Sequence, residues 1–183
     1  MTQHALMAWS SGKDSALALH EVQQAGEPDV VALLTTVTEE YDRISMHGIR
    51  RELLEAQSAS IDLPLAIVSI PRECSDEEYG ARMRALLEEQ KAQGVSSVIF
   101  GDLFLEDVRQ YRVHSLAQVD MRPVFPLWRR DTAELARQFI DQGFRAITTC
   151  VDSERLDREF VGREFDAAFL ADLPDGIDPC GEN

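Results

Sequence analysis

The sequence predicts an α/β protein, an open parallel sheet of about five to six strands with helices on both faces. Two observations predict it. Short apolar runs alternate with helical stretches along almost the whole chain, the mark of strand–helix–strand connections. Polar clusters also fall where those runs end, at Ser10–Ser15, Thr35–Thr38, Gly101-Asp102 and Thr149–Asp152. Open parallel sheets collect their functional groups at that carboxyl edge.

Ala5–Trp9 reads as the first strand and Asp14–Ala25 as the helix after a polar turn. Val30–Thr36 is the second strand, Gly48–Ser60 the second helix and Leu65–Ile70 the third strand. Asp76–Gln93 follows as an amphipathic cover helix, with Ser75 as its cap and Ala81, Leu86 and Leu87 apolar among charges. Ser97–Phe100, a helix over Glu106–Val119, a strand at Arg122–Phe125, a helix over Thr132–Gln142 and a last strand at Ala146–Cys150 complete the pattern. Gly94 and Gly143 close two of the helices just before a strand. Residues 1–172 are expected to form one domain, and residues 173–183, rich in Pro, Gly and Asp, a loop segment.

Composition removes several classes of function. The chain has 183 residues, long enough for one well-buried core, with hydrophobic residues at 44% and charged residues at 28%. No apolar segment is long enough to span a bilayer, and no basic-then-apolar leader opens the chain, so the expected location is cytoplasmic. Thirty-three acids against 18 bases give a net charge of −15, which repels phosphate backbones and anionic membranes and makes nucleic acid an unfavoured partner. Cys74, Cys150 and Cys180 are widely spaced with no Cys-x-x-Cys pair, which argues against a zinc ribbon, a thioredoxin-type pair and cysteine-based thiolation.

Ser10-Ser11-Gly12-Lys13-Asp14-Ser15 is the most informative run. A polar turn between strand and helix presents backbone N–H groups at the positive end of a helix dipole, which suits phosphate. Gly12 admits a ligand close to the backbone, Lys13 can meet phosphate charge, Asp14 can hold magnesium, and the hydroxyls of Ser10 and Ser15 can bond phosphate oxygens. The competing reading is that Asp14 or Ser15 merely caps the helix. The order differs from the common phosphate loop of ATPases and GTPases, which needs four residues between its glycines and then Lys-Ser or Lys-Thr.

Further stretches sharpen the picture: Met46-His47-Gly48 before a helix, Phe100-Gly101-Asp102-Leu103 after a strand, and Glu106, Arg109, Tyr111 and Arg112 on the next helix. Phe125-Pro126-Leu127-Trp128-Arg129-Arg130-Asp131 and the tail Gly176–Asn183, ending Cys-Gly-Glu-Asn, follow. The first loop resembles the pyrophosphate loop, Ser-Gly-Gly-x-Asp-Ser, of the N-type ATP pyrophosphatases, with Ser11 where that pattern has its first glycine. Taken in order, the whole set closely resembles the diphthine–ammonia ligase family, including its branch labelled adenine nucleotide alpha hydrolase.

The resemblance implies a Rossmann-like nucleotide-binding fold and an AMP-forming reaction with ATP and magnesium. A carboxylate is adenylated with release of pyrophosphate, and ammonia or an amine then displaces AMP. It implies that Ser10, Ser11, Gly12, Lys13, Asp14 and Ser15 hold the phosphates, Lys13 and Asp14 being catalytic and Asp14 the metal ligand. Thr35, Met46, His47, Gly101 and Asp102 would complete the nucleotide site. Trp128, Arg130, Asp131, Glu182 and Asn183 would shape the acceptor side, with residues 173–183 opening a further acceptor element that relatives continue.

Structural alternatives stay open residue by residue. His47 and Asp102 can cap helices, Trp128 can be a packing anchor, and Glu182 and Asn183 can be a frayed end. Glu106 and Arg109 have the spacing of a helix-surface ion pair. Two other functions compete, a nucleotide sensor without chemistry and a tRNA-modifying enzyme built on the same loop. The sequence leaves the acceptor, the nitrogen source and the oligomeric state open, a homodimer among the options.

Overall fold

The longest strand organises the sheet. The structure, a computed structural model, describes residues 3–182. In chain order the elements are β1 (His4–Ala8), α1 (Lys13–Ala25), β2 (Asp29–Thr38), β3 (Arg43–Ile44), α2 (Arg51–Ile61), β4 (Leu65–Ile70) and α3 (Asp76–Ala92). They continue as β5 (Val95–Ile99), α4 (Glu106–Ala117), β6 (Arg122–Val124), α5 (Thr132–Asp141) and α6 (Ala167–Asp172), with single 3-10 turns at Glu39–Tyr41 and Arg158–Phe160. The chain forms two compact units, one running to Leu127 and the other from Trp128.

The first unit holds the predicted sheet. β2 pairs in parallel with β1 through Leu34 and with β4 from Leu33 to Thr38. These stretches overlap, so β1 and β4 lie on opposite edges of β2. β3 pairs antiparallel with Val37 and Thr38, where β4 already occupies one edge, so it extends the edge that β1 leaves free. β1 pairs in parallel with β5, and β5 with β6. The parallel order is therefore β4-β2-β1-β5-β6. The chain winds outward from β1 to β4, then returns to β5 on the other side of β1. Right-handed crossovers put α1 and α2 on one face and α3 and α4 on the other, as the expected two-sided cover requires. One buried cluster joins Leu6, Leu34, Val68, Val98 and Phe100 of the strands and their ends to Leu87 of α3 and Leu116 of α4.

The second unit is built on phenylalanine. Phe139 of α5 stacks on Phe144 with centroids 5.1 Å apart and meets Phe165 edge-on at 5.9 Å. Phe169 of α6 packs on Phe160 and Phe165 at 5.4 and 5.2 Å. Arg163 lies over Phe160 and Phe169 while its head pairs with Asp172 at 2.7 Å, so its charge is used twice.

Two expectations need correction. Ala146–Cys150 is not a strand of the sheet: the segment runs antiparallel to residues 162–165, with Thr148 N–H donating to Arg163 O and Phe165 N–H to Ala146 O. β6 also ends the sheet for a local reason. Val124 O accepts from Phe100 N–H, so the alternating Pro123 faces outward, where it has no N–H to offer a further strand. The second helix starts at Arg51 rather than Gly48, because Met46 and Gly48 take left-handed backbone (φ 69° and 66°) in a tight turn after β3. Among the described residues no helix is long and apolar enough to cross a membrane.

Leu33 is fully buried in β2 at the point where β1 and β4 overlap. Leu33→Ala is expected to cost about 2–5 kcal/mol in urea unfolding, whereas truncating Leu53, 45% exposed on α2, should stay within about 0.5 kcal/mol.

Candidate functional site

The strand order reverses between β1 and β5, and open α/β sheets bind ligands in the crevice beyond the carboxyl ends at such a point. The two sequence clusters with the most chemistry flank it: Ser10–Ser15 follows β1 and Gly101-Asp102 follows β5. They touch. A Cβ on Gly101 would stand 2.8 Å from the carbonyl carbon and oxygen of Asp14 and 3.0 Å from Ser15 N. Only a glycine lets the β5 end close against the first turn of α1, and that contact fixes where the loop sits.

The loop is held mostly by its own hydroxyls. Ser15, 3% exposed, donates from Oγ to Gly12 O at 2.9 Å and lies 3.2 Å from Ser10 Oγ. Gly12 N–H donates to Ser10 Oγ at 3.3 Å, a long bond that a better acceptor can displace. Gly12 is the N-cap of α1 and has no side chain to cap it, and Arg50 and Leu105 likewise leave α2 and α4 without a side-chain cap. By contrast, Ser75, Asp131 and Asp166 cap α3, α5 and α6. α1 thus opens without a cap from its own N-cap residue, at the helix end whose N–H groups suit an external acceptor.

Ser11 takes a backbone conformation that glycine adopts more readily. Its φ is +65°, left-handed backbone that costs a side-chain-bearing residue about 1–2 kcal/mol. Its Oγ is buried with no hydrogen-bond partner among the described residues, and the same holds for Thr35 Oγ1, in a residue 4% exposed near the end of β2. Buried hydroxyls left unpaired are costly unless a ligand completes them. Trp9 N–H of the backbone bonds Leu34 O, which brings the base of the loop beside Thr35.

Lys13 and Asp14 pair at 2.7 Å, with side chains 16% and 33% exposed. Among the described residues no three of His, Cys, Asp and Glu converge, so no protein-built metal cage exists. A single carboxylate does suit a magnesium ion that arrives with phosphates and keeps much of its water.

The other predicted residues divide. Asp102 pairs with Arg112 of α4, whose Nη2 donates to Oδ1 at 3.1 Å while Nε lies 2.6 Å from Oδ2 outside hydrogen-bond geometry, and the guanidinium lies 4.3 Å from the Phe100 ring centroid. This ion pair anchors the segment after Gly101. Arg109 lies over Phe125 at 5.4 Å and pairs with Glu106 at 3.3 Å. Tyr79 of α3 bonds Thr36 on the face opposite Thr35, and burial pushes its phenol above the ordinary value, against the pull of that bond. Met46, 99% exposed, and His47 stand on the turn after β3, tied to β2 through Ser45 N–H to Thr36 O at 2.8 Å and the Thr38–Ser45 hydroxyl pair at 2.9 Å.

In the second unit, Asp131 caps α5 through Glu134 N–H at 2.8 Å and Arg130 donates to Gln138 at 2.6 Å. Trp128 opens this unit. Cys180 Sγ reaches Thr132 O at 3.5 Å, which folds the tail, and with it Glu182, back to the start of α5. Asn183 lies outside the described residues. Sequence reasoning missed Gln57 of α2, whose side chain reaches both Trp9 and Ser11. A glutamine within a helix carries no motif signal, and only the fold brings it to the loop.

A protein named diphthine–ammonia ligase from Danio rerio is 27% identical over 201 aligned positions, covering 94% of this chain and 76% of that protein. The family model described as diphthamide synthase N-terminal domain matches residues 3–121, a stretch that includes both sides of the crevice. With the loop, the glycine contact and the strand reversal all inside that match, the chain belongs to the diphthamide synthase N-terminal domain family.

Proposed function

We propose that this chain is an AMP-forming, ATP-dependent amide ligase. The observation that carries the reading is the contact of Gly101 with the Asp14–Ser15 backbone. It holds an uncapped helix N-terminus, with its serines and Lys13-Asp14, at the mouth of the switch-point crevice. Family membership and the name of the Danio rerio relative support the same class.

In this reading an oxygen of the acceptor carboxylate forms a bond to the α phosphorus of ATP as the bond from that phosphorus to pyrophosphate breaks. Ammonia or another amine then attacks the acyl carbon, the bond to AMP breaks, and the amine gives up a proton. The carboxylate is already ionised at neutral pH, so the first step asks for no strong base. Catalysis is then positioning and charge stabilisation. The N–H groups of α1, Ser10, Ser11 and Ser15 receive the β and γ phosphates, and Lys13 balances charge on the leaving pyrophosphate. Asp14 would hold magnesium, which when bound neutralises charge on the phosphates. Thr35, Met46, His47, Gly101 and Asp102 line the nucleotide side, Asp102 held there by its ion pair with Arg112. Trp128, Arg130, Asp131, Glu182 and Asn183 serve the acceptor.

An assay of ATP consumption with magnesium, ammonium and a panel of carboxylates should yield AMP and pyrophosphate. Formation of ADP and phosphate would overturn the reading, and tight ATP binding without consumption across the panel would favour a sensor. Asp14→Ala is expected to lower kcat by about 10²–10³-fold with an unchanged melting temperature, because Gly12 rather than Asp14 is the N-cap of α1. Gly101→Ala should abolish ATP binding in calorimetry, since its Cβ would meet backbone at 2.8 Å. Gly80→Ala, in α3 with open space around it, should bind normally and gain about 0.5–1 kcal/mol of stability.

A further inference from the structure

We infer that Gln57 is a positioning residue for the phosphate loop: from α2 it sets the orientation of the Ser11–Gly12 peptide and so aims the Gly12 N–H at the bound phosphate. This inference rests on the proposed phosphate role of the loop.

The geometry assigns both ends of one carboxamide. Trp9 Nε1, a donor only, gives its hydrogen to Gln57 Oε1 at 3.0 Å, and Gln57 Nε2 donates to Ser11 O, an acceptor only, at 3.4 Å. The indole therefore fixes which end of the amide is nitrogen, and that nitrogen faces the loop. Trp9 is 5% exposed at the end of β1, so the anchor itself is rigid.

The consequence follows from peptide planarity. In a trans peptide the carbonyl and the next N–H point in opposite directions. With Ser11 C=O drawn towards α2, Gly12 N–H must point the other way, into the loop, where it meets Ser10 Oγ at 3.3 Å. That long bond is the kind a phosphate oxygen replaces. Without the pin only the long bond from Gly12 N–H to Ser10 Oγ holds the tilt of that peptide plane, and Gly12 has no side chain to restrict it. Gln57 thus spans 46 residues of sequence from Ser11 to hold one N–H vector.

The test compares binding of magnesium-ATP and of inorganic pyrophosphate by calorimetry in wild type, Gln57→Glu, Trp9→Phe and the double variant. Gln57→Glu keeps an acceptor for the indole but places an oxygen against Ser11 O. The expected result is about tenfold weaker binding of both probes, with circular dichroism and melting temperature unchanged. Trp9→Phe frees the carboxamide to rotate and should weaken both probes as well. The double variant should be no weaker than the worse single, because both act through one amide. In turnover, KM for ATP should rise more than kcat falls. Wild-type binding with Gln57→Glu unchanged, or strictly additive effects, would overturn the inference alone. Failure of wild type to bind either probe would remove the phosphate reading and this inference with it.

Discussion

The close approach of the β5 end to the first turn of α1 is the constraint on which the site depends. Strand order places β1 beside β5, but adjacency of strands leaves the loops after them free to diverge. Gly101 removes that freedom, since its missing Cβ is what lets the two chains pack backbone to backbone. From that contact the arrangement propagates outward. Asp102 is next in sequence and is clamped by Arg112, whose guanidinium is in turn seated on Phe100. The loop on the other side is clamped by serine hydroxyls and by α2. Each side of the crevice is thus tied to a helix behind it.

Much of this architecture was legible in the chain. β4 begins and ends where its apolar run does, and β1, β2, β5 and β6 differ from their expected bounds only near the ends, because alternation and turn residues report directly on burial. β3 was invisible: two residues carry no period, and their pairing exists only because β2 outruns β1. Ala146–Cys150 misled for the opposite reason. Its apolar and β-branched residues suit extended backbone wherever they pair, and Ile147 is 56% exposed in the short ladder with residues 162–165. α6 escaped notice because Asp166 and six residues make too short a pattern. The loop itself was read from residue types, but its internal order was not. Neither the left-handed state of Ser11 nor the reach of Gln57 can be derived from spacing.

Charge adds a second constraint. The chain carries −15, yet the proposed phosphate site would offer a helix N-terminus, Lys13 and backbone donors to a polyanion. Long-range repulsion and short-range attraction therefore oppose each other. Salt screens the first over about 8–10 Å while leaving contact hydrogen bonds largely intact. Association of a polyphosphate with this protein is expected to quicken as ionic strength rises, the reverse of a basic nucleotide-binding surface.

The missing side-chain cap on α1 has its own consequence. In the proposed reading the helix is completed by the phosphates that occupy the crevice, so ligand and helix terminus stabilise one another. Occupancy adds folding free energy by mass action, about 2.7 kcal/mol at a hundredfold excess over Kd. Heat resistance of the first unit then becomes a label-free gauge of what the crevice holds, readable without knowing the reaction.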